Sequence, residues 1–274
     1  MKAIYLLFVL FLFSCSSKTK FSGIESDYTQ ELVGKIKKMI IKTYQYDVEQ
    51  RDSILWVTTR SIDFDRKNRA LKQTEHTLNF NYETVYRYGN ASLKSTHSTT
   101  KDRTDRSEYV YDRKKNVIEY RQFQNDKLGF LKMSVYDSEN NIVEETYLHP
   151  NAPHLNSVDK YSIDYINRIV TIRNFKENKP NDHRHLKLHY DEKGFLIRSE
   201  TVHTGETESS SDLYIREYDA KGNLTKSTSY DKEKNIVSLT VSKNEYDSKG
   251  NILVRETFLN GKLFEKTVNE IVYW

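Results

Sequence analysis

One short corner recurs along this chain and forces the backbone to reverse direction at regular intervals. It reads Asp, two polar residues, Gly or Asn, then another polar residue, with an aromatic or aliphatic residue before it and an aliphatic one after. Copies begin at Asp65, Asp112, Asp137, Asp164, Asp191, Asp219, Asp231 and Asp247. With Asp231 set aside as an extra copy, successive positions from Asp112 onward lie 25, 27, 27, 28 and 28 residues apart. The 47 residues from Asp65 to Asp112 make about two periods, with a degenerate copy, Tyr88-Gly89-Asn90, near their middle.

Each position in the corner has a physical reason. An Asp side chain opens a type I turn by bonding the backbone two residues on. A three-residue hairpin loop then needs a residue in the left-handed region, which Gly adopts without a steric penalty. That slot holds Asn68, Asn140, Asn167, Gly194, Gly222 and Gly250, with Lys115 and Lys234 as exceptions. Such a turn sets the residue before Asp opposite the aliphatic residue. The expected pairs are Tyr111 with Val117, Tyr136 with Ile142, Tyr190 with Leu196, Tyr218 with Leu224 and Tyr246 with Ile252. Cross-strand pairs of this kind contribute roughly 0.2–1 kcal/mol each. A calcium loop would need several carboxylates at alternating positions and a distal Glu. These corners offer one dependable Asp beside Lys or Arg, so no metal is expected in them.

Half a period later comes a second reversal. Asn260-Gly261 between apolar runs is the strongest short hairpin signal, and Gln124-Asn125-Asp126-Lys127 is a looser version. Elsewhere the connection is longer: His149 to Ser157, Lys176 to His183 and Thr204 to Ser211. Each period therefore holds two strands, paired antiparallel in sequence order. The expected fold is all-β: one elongated, twisted and curled antiparallel sheet of tandem β-hairpins, roughly 16 to 18 strands, over residues 27–274. Leu32, Ile36, Met39 and Ile40 also fit helical spacing, but Lys35 to Tyr46 aligns with a repeat strand, and strand is preferred.

The Tyr-Asp-x-x-Gly-Asn-Leu signature at Tyr218 to Leu224, and its counterpart at Tyr246 to Ile252, resembles the YD repeat, also called the Rhs repeat. The resemblance spans about residues 60 to 274. Leu32 to Lys37 followed by Tyr46-Asp47 is similar to a degenerate first unit in short lipoproteins of this kind. Long members of the family wind their repeats into a shell around a toxin. This chain is too short to close such a shell and has no toxin segment after its last repeat, so the resemblance implies strand topology only. The Asn-Gly-Lys hairpins are also similar, more weakly, to those of antitoxin-type repeat proteins.

The N-terminus adds a second constraint. Met1-Lys2 precedes an apolar run from Ala3 to Phe13, about half the length of a membrane-spanning helix, which reads as a secretory signal. Leu12-Phe13-Ser14-Cys15 resembles the bacterial lipobox, with Phe13 bulkier than usual. The resemblance implies cleavage after residue 14 and lipidation of Cys15, and Ser16 fits outer-membrane sorting. Residues 15–26 then form the lipidated tether. Two or three acyl chains hold a protein stably on a bilayer where one does not. The expected location is the outer membrane, on its periplasmic side or at the cell surface.

Catalytic signals are missing from the sequence. Cys15 is the sole cysteine, which excludes an internal disulfide. No Gly-x-Ser-x-Gly elbow or phosphate-binding glycine loop occurs. His183, His185 and His189 share one face of a strand but have no carboxylate in the same stretch, so they are expected to be solvated rather than to bind zinc or copper. Adjacent acids such as Glu144-Glu145 face opposite ways and are expected to be surface charge. The formal charge of +4 comes from interleaved signs, not a basic stripe, so nucleic acid is not an expected partner. Hydrophobic residues make up 36%, too few for a thick core, yet 20 Tyr and 12 Phe argue for order. Aligned strands would set equivalent tyrosines in a row, either to stack on sugar rings or peptide, or simply to cover the better-buried face.

The function expected on these grounds is a lipid-anchored envelope protein, not an enzyme. It would act without a cofactor as a binding or structural module for a glycan or protein. An immunity-type protein that neutralises a toxin is the alternative. A membrane-embedded barrel, suggested by the aromatic ending Glu270-Ile271-Val272-Tyr273-Trp274, is disfavoured because strands such as Lys132 to Tyr136 lack a lipid-facing apolar row.

Overall fold

The computed structural model describes residues 32–47, 54–78, 80–89, 92–176, 179–204 and 211–274. The signal segment, Cys15 and the tether lie outside the described residues. The first six strands are β1 (Ile36–Tyr46), β2 (Ile54–Phe64), β3 (Ala70–His76), β4 (Asn81–Gly89), β5 (Ser92–Thr99) and β6 (Thr104–Tyr111). Then come β7 (Val117–Gln124), β8 (Lys127–Tyr136), β9 (Ile142–Leu148), β10 (Ser157–Asp164), β11 (Ile169–Lys176) and β12 (Lys179–Tyr190). The last are β13 (Leu196–Thr204), β14 (Ser211–Tyr218), β15 (Leu224–Tyr230), β16 (Ile236–Tyr246), β17 (Ile252–Leu259) and β18 (Lys262–Tyr273). A single turn of 3-10 helix, Pro153–Leu155, interrupts the β9–β10 connection. The residues around Lys35 to Tyr46 are strand, as the repeat alignment requires.

Every strand pairs antiparallel with its sequence neighbours, and β1 also pairs with β18, from Lys38 opposite Val272 to Gln45 opposite Glu265. The sheet is therefore closed: an 18-stranded barrel, not an open elongated sheet. An open array would leave the first and last strands with unpaired backbone groups; pairing them removes both edges. Following registered partners once around the ring leads back to β1 displaced by about 20 residues. That stagger corresponds to strands tilted by roughly 40° in a ring roughly 35 Å across.

The corners behave as the Asp chemistry dictates. Asp219 Oδ1 accepts from the N–H groups of Lys221 and Asn223, each at 2.9 Å. The same double acceptance recurs at Asp65, Asp112, Asp137, Asp191, Asp231 and Asp247. Gly194, Gly222 and Gly250 have φ of 84°, 82° and 96°. Lys115 and Lys234 are held left-handed too, at 70° and 66°, so the Asp clamp imposes the geometry even without Gly or Asn. All five expected Tyr–aliphatic pairs are in register, from Tyr111 with Val117 to Tyr246 with Ile252. Asp164 departs from the pattern. There Ile163 and Asp164 pair with Val170 and Ile169 without a bulge, and the left-handed residue is Arg168 (φ 55°), not Asn167.

The corners at Asp65, Asp112, Asp137, Asp164, Asp191, Asp219 and Asp247 all lie on one rim, the corner rim. Asp231, the copy out of step in sequence, joins β15 to β16 on the opposite rim, which explains its spacing. Asn125-Asp126 and Asn260-Gly261 turn on that rim with positive φ at both positions. Lys176 pairs with Lys179, so the connection expected over Lys176 to His183 is shorter than its sequence suggests.

Toward the corner rim, hairpins joined at the other end splay, and the repeat tyrosine bridges the gap. The hydroxyls of Tyr111, Tyr136 and Tyr218 donate to the carbonyls of Leu93, Val117 and Leu196, at 2.7, 3.0 and 2.8 Å. Those carbonyls belong to the aliphatic position after the preceding corner. Tyr246 and Tyr273 donate instead to the carboxylates of Asp219 and Asp247.

These contacts make the corners acid-sensitive. For Asp247, burial opposes ionisation, but the Tyr273 hydroxyl and the corner N–H groups outweigh it and bring the carboxyl from 3.8 down to about 2. Asp65, Asp112, Asp137, Asp164, Asp219 and Asp231 are lowered as well. A depressed carboxyl stabilises the fold above its unfolded pKa and loses that contribution as pH falls through the folded value. The urea midpoint is thus expected to hold down to about pH 4.5 and to fall steeply from there toward pH 2. Asp247→Asn, which keeps an acceptor oxygen but cannot titrate, should flatten part of that fall.

The two faces of the barrel wall differ. By register, Glu75, Thr84, Ser134, Glu145, Val170, Ile172, Leu188, Tyr190, Ser199 and Thr201 share one face, and all are buried. Within it, Val170, Ile172, Leu188 and Tyr190 form an apolar cluster with Tyr161, Ile163, Leu186 and Leu196. Side chains converge on a concave wall and diverge on a convex one, so this face lines the lumen. The other face carries cross-strand ion pairs such as Lys42–Glu270, Lys72–Glu83 and Lys226–Glu217, each at 2.7 Å. Among the described residues neither face forms an apolar band, and lysine facing lipid at mid-bilayer costs roughly 2–4 kcal/mol.

Candidate functional site

The lumen wall gathers the aromatic side chains on neighbouring strands. Tyr109 of β6 packs on Tyr120 of β7 with ring centroids 5.2 Å apart. Tyr120 meets Phe130 of β8 edge-on at 6.0 Å, and Phe130 lies 6.3 Å from Tyr147 of β9 and 5.0 Å from His149. The result is a continuous, half-buried aromatic row crossing four strands, produced by the alternation that sends every second residue to one face.

Beside the row lies a buried carboxylate. Glu145, 5% exposed, accepts from Tyr161 Oη at 2.6 Å, Tyr147 Oη at 2.7 Å, Lys132 Nζ at 2.9 Å and Ser134 Oγ at 3.1 Å. Burial alone would raise its pKa, but the hydroxyl bonds and the lysine outweigh it and hold the carboxyl below its ordinary value. Burial and the same carboxylate push the Tyr147 and Tyr161 hydroxyls well up, so both remain protonated donors. A second centre repeats the arrangement: Glu75 accepts from Arg60 Nε at 2.7 Å and Tyr82 Oη at 2.8 Å. With its donors in place, Glu145 is a fixed anion that orients the row, not a proton shuttle.

The sequence expectation for Glu144 and Glu145 is half right. They do face opposite ways, with Glu144 4.0 Å from Lys160 on the outer face. Glu145, however, is not surface charge: it anchors the lumen network. Its signal was the alternation Val143, Glu145, Tyr147, which puts it on the tyrosine face. His185 and His189 share one face of β12, and the neighbouring strand brings Glu200 Oε1 to 3.4 Å from His189 Nε2; the side chain of His183 lies outside the described residues. Among the described residues, no three His, Cys, Asp or Glu side chains converge to hold a metal ion.

No protein-family model matches the chain, and no curated protein matches it. Among solved structures, it is similar to a porin-like protein from Bacteroides uniformis ATCC 8492, at 10% identity and TM-score 0.46 over 88% of this chain and 98% of that one. A porin-like protein from Bacteroides vulgatus ATCC 8482 matches at 12% identity and TM-score 0.38, over 87% and 98%. The Photorhabdus luminescens Tc holotoxin pore matches at 10% identity and TM-score 0.31, over 74% of this chain and 14% of that one. Similarity at this level identifies neither a family nor an activity.

Proposed function

We propose that the chain is a lipid-anchored envelope protein built on YD-type repeats, whose barrel binds a glycan along the aromatic row of its lumen wall. The lipobox at Leu12 to Cys15 supports the anchor. The row Tyr109, Tyr120, Phe130 and Tyr147 carries the binding reading, because consecutive rings at 5–6 Å spacing offer stacking faces to successive sugar rings. Hydroxyls of Tyr, Ser and Thr on the same wall supply the hydrogen-bonding partners a sugar needs. The Tyr-Asp corner explains the repeat: Asp sets the turn and Tyr ties consecutive corners together.

The chain beginning at Ser16 contains every strand of the ring and is the form to test. Titrated calorimetrically with envelope polysaccharide fragments, it is expected to bind, and Tyr120→Ala with Phe130→Ala to weaken binding about tenfold or more. Equal affinity in the double variant, or no binding to any fragment, would end the glycan reading. In cells, Cys15→Ser is expected to abolish palmitate labelling and to make the protein extractable from membranes by high salt.

A further inference from the structure

We propose that one arc of the corner rim is a docking surface for anionic phospholipid headgroups, so that the barrel stands on the bilayer with this rim down. The proposal rests on the anchored reading above and adds to it the orientation of the barrel and a second, electrostatic contact. The chain reaches the barrel at this rim. Val33 is gripped by Asn251 and Gly34 by Asn68, so the segment carrying Cys15 joins the barrel where the arc begins.

Along the ring, the start of β1 and the corners of β2–β3, β4–β5 and β6–β7 are consecutive. Lys35, Lys37, Arg66, Lys67, Arg113 and Lys115 are all exposed along this arc. The carboxylates of the same corners, Asp65 and Asp112, are turned inward, each held by two backbone N–H groups. On the outer wall, by contrast, Lys42, Lys72, Lys226 and Lys266 each sit within 2.8 Å of a glutamate. Among the described residues, the side chains of Lys35, Lys67, Arg113 and Lys115 have no such partner. Unpaired like charges gathered on one arc repel each other, and an anionic surface relieves that repulsion.

An aromatic side chain sits within the arc. Trp274 is 52% exposed, with Lys37 Nζ 5.4 Å and the Arg66 guanidinium 5.5 Å from its ring. Exposed tryptophan among cations is the composition that settles at headgroup depth. The opposite rim holds the other tryptophan of the chain, Trp56, 46% exposed near the start of β2. The two tryptophans therefore report on the two rims separately.

The test uses the chain from Ser16, which lacks the acylated cysteine, with vesicles of phosphatidylglycerol and phosphatidylethanolamine or of phosphatidylcholine alone. Binding is expected only to the anionic vesicles and should weaken with salt. Each lysine near such a surface strengthens binding about fivefold. The combined variant Lys35→Glu, Lys67→Glu, Arg113→Glu should thus lose binding at least tenfold, whereas Lys101→Glu, Lys127→Glu, Lys262→Glu on the opposite rim should not. Brominated lipid is expected to quench Trp274, read in Trp56→Phe, and to leave Trp56, read in Trp274→Phe, unchanged. Equal binding to phosphatidylcholine, undiminished binding by the arc variant, or quenching of Trp56 would overturn the proposal. These outcomes are independent of the fate of Cys15→Ser in cells, which tests the anchor alone.

Discussion

Replacing Gly222 with alanine is expected to cost about 2–4 kcal/mol, against about 1–2 kcal/mol for the same change at Gly250. Both glycines occupy the left-handed slot of an Asp corner, with φ of 82° and 96°, and both lose that freedom when a Cβ is added. The difference lies in what the new methyl group meets. At Gly222 it would stand 2.5 Å from Phe195 Cζ and 2.8 Å from Cε1, too close for any real contact. At Gly250 its nearest neighbour is the tip of Lys221, 3.7 Å away, an ordinary van der Waals contact. Phe195 can yield only by leaving Tyr218, on which it stacks with centroids 5.1 Å apart. In a Phe195→Ala background the excess cost at Gly222 should vanish, because only the backbone penalty would remain. Urea unfolding of the two glycine variants in both backgrounds measures this directly. Equal costs at the two glycines would mean that the corners do not pack on one another as described.

That comparison marks where the sequence stops being readable. The Asp-x-x-Gly spacing exposes the turns, the left-handed slots and the Tyr–aliphatic pairs, because all of these are settled within about seven residues. Phe195 and Gly222 lie in successive corners, and nothing local separates Gly222 from Gly250. Closure is hidden for the same reason at a larger scale. The pairing of β1 with β18 joins the first and last described strands, and the stagger that allows it is the sum of small offsets at every hairpin. Each hairpin taken alone is compatible with an open sheet. Glu145 escaped because an acid on a strand is usually solvated, and only the facing strands bring Lys132, Ser134 and Tyr161 to it. The tyrosine row was visible as a possibility; burial and ring contacts place it on the lumen wall, a surface that exists only once the ring is closed.

Asn251→Ala is expected to cost about 3–4 kcal/mol and to open the barrel at one seam. Between β18 and β1 the rim has no corner, since the chain does not continue from one to the other there. Two asparagines hold the gap together with one backbone bond, from the Trp274 N–H to the Lys35 carbonyl at 3.0 Å. Asn251, fully buried, accepts the Val33 N–H at 2.7 Å and donates to the Val33 carbonyl at 2.8 Å and to Tyr273 Oη at 2.7 Å. From the other side, Asn68 accepts the Ile36 N–H at 2.9 Å and donates to the Gly34 carbonyl at 2.6 Å. Their side-chain amides thus do for Val33, Gly34 and the Ile36 N–H what a strand neighbour's backbone does elsewhere. Alanine at 251 leaves the part-buried N–H and carbonyl of Val33 without their partner at once and removes one of the two bonds to the Tyr273 hydroxyl, and such losses are costly. Asn223 is the control. It occupies the same corner position, is 6% exposed, and donates to Tyr246 Oη at 2.9 Å, but holds no part of the N-terminal segment. Asn223→Ala should cost about 1–2 kcal/mol and leave the seam shut. Hydrogen exchange separates the two: in Asn251→Ala the amides of Met39 to Thr43 and of Thr267 to Ile271 should exchange faster, and in Asn223→Ala they should keep their protection. If both variants loosen the same amides equally, the asparagine grip on Val33 is not what closes the ring.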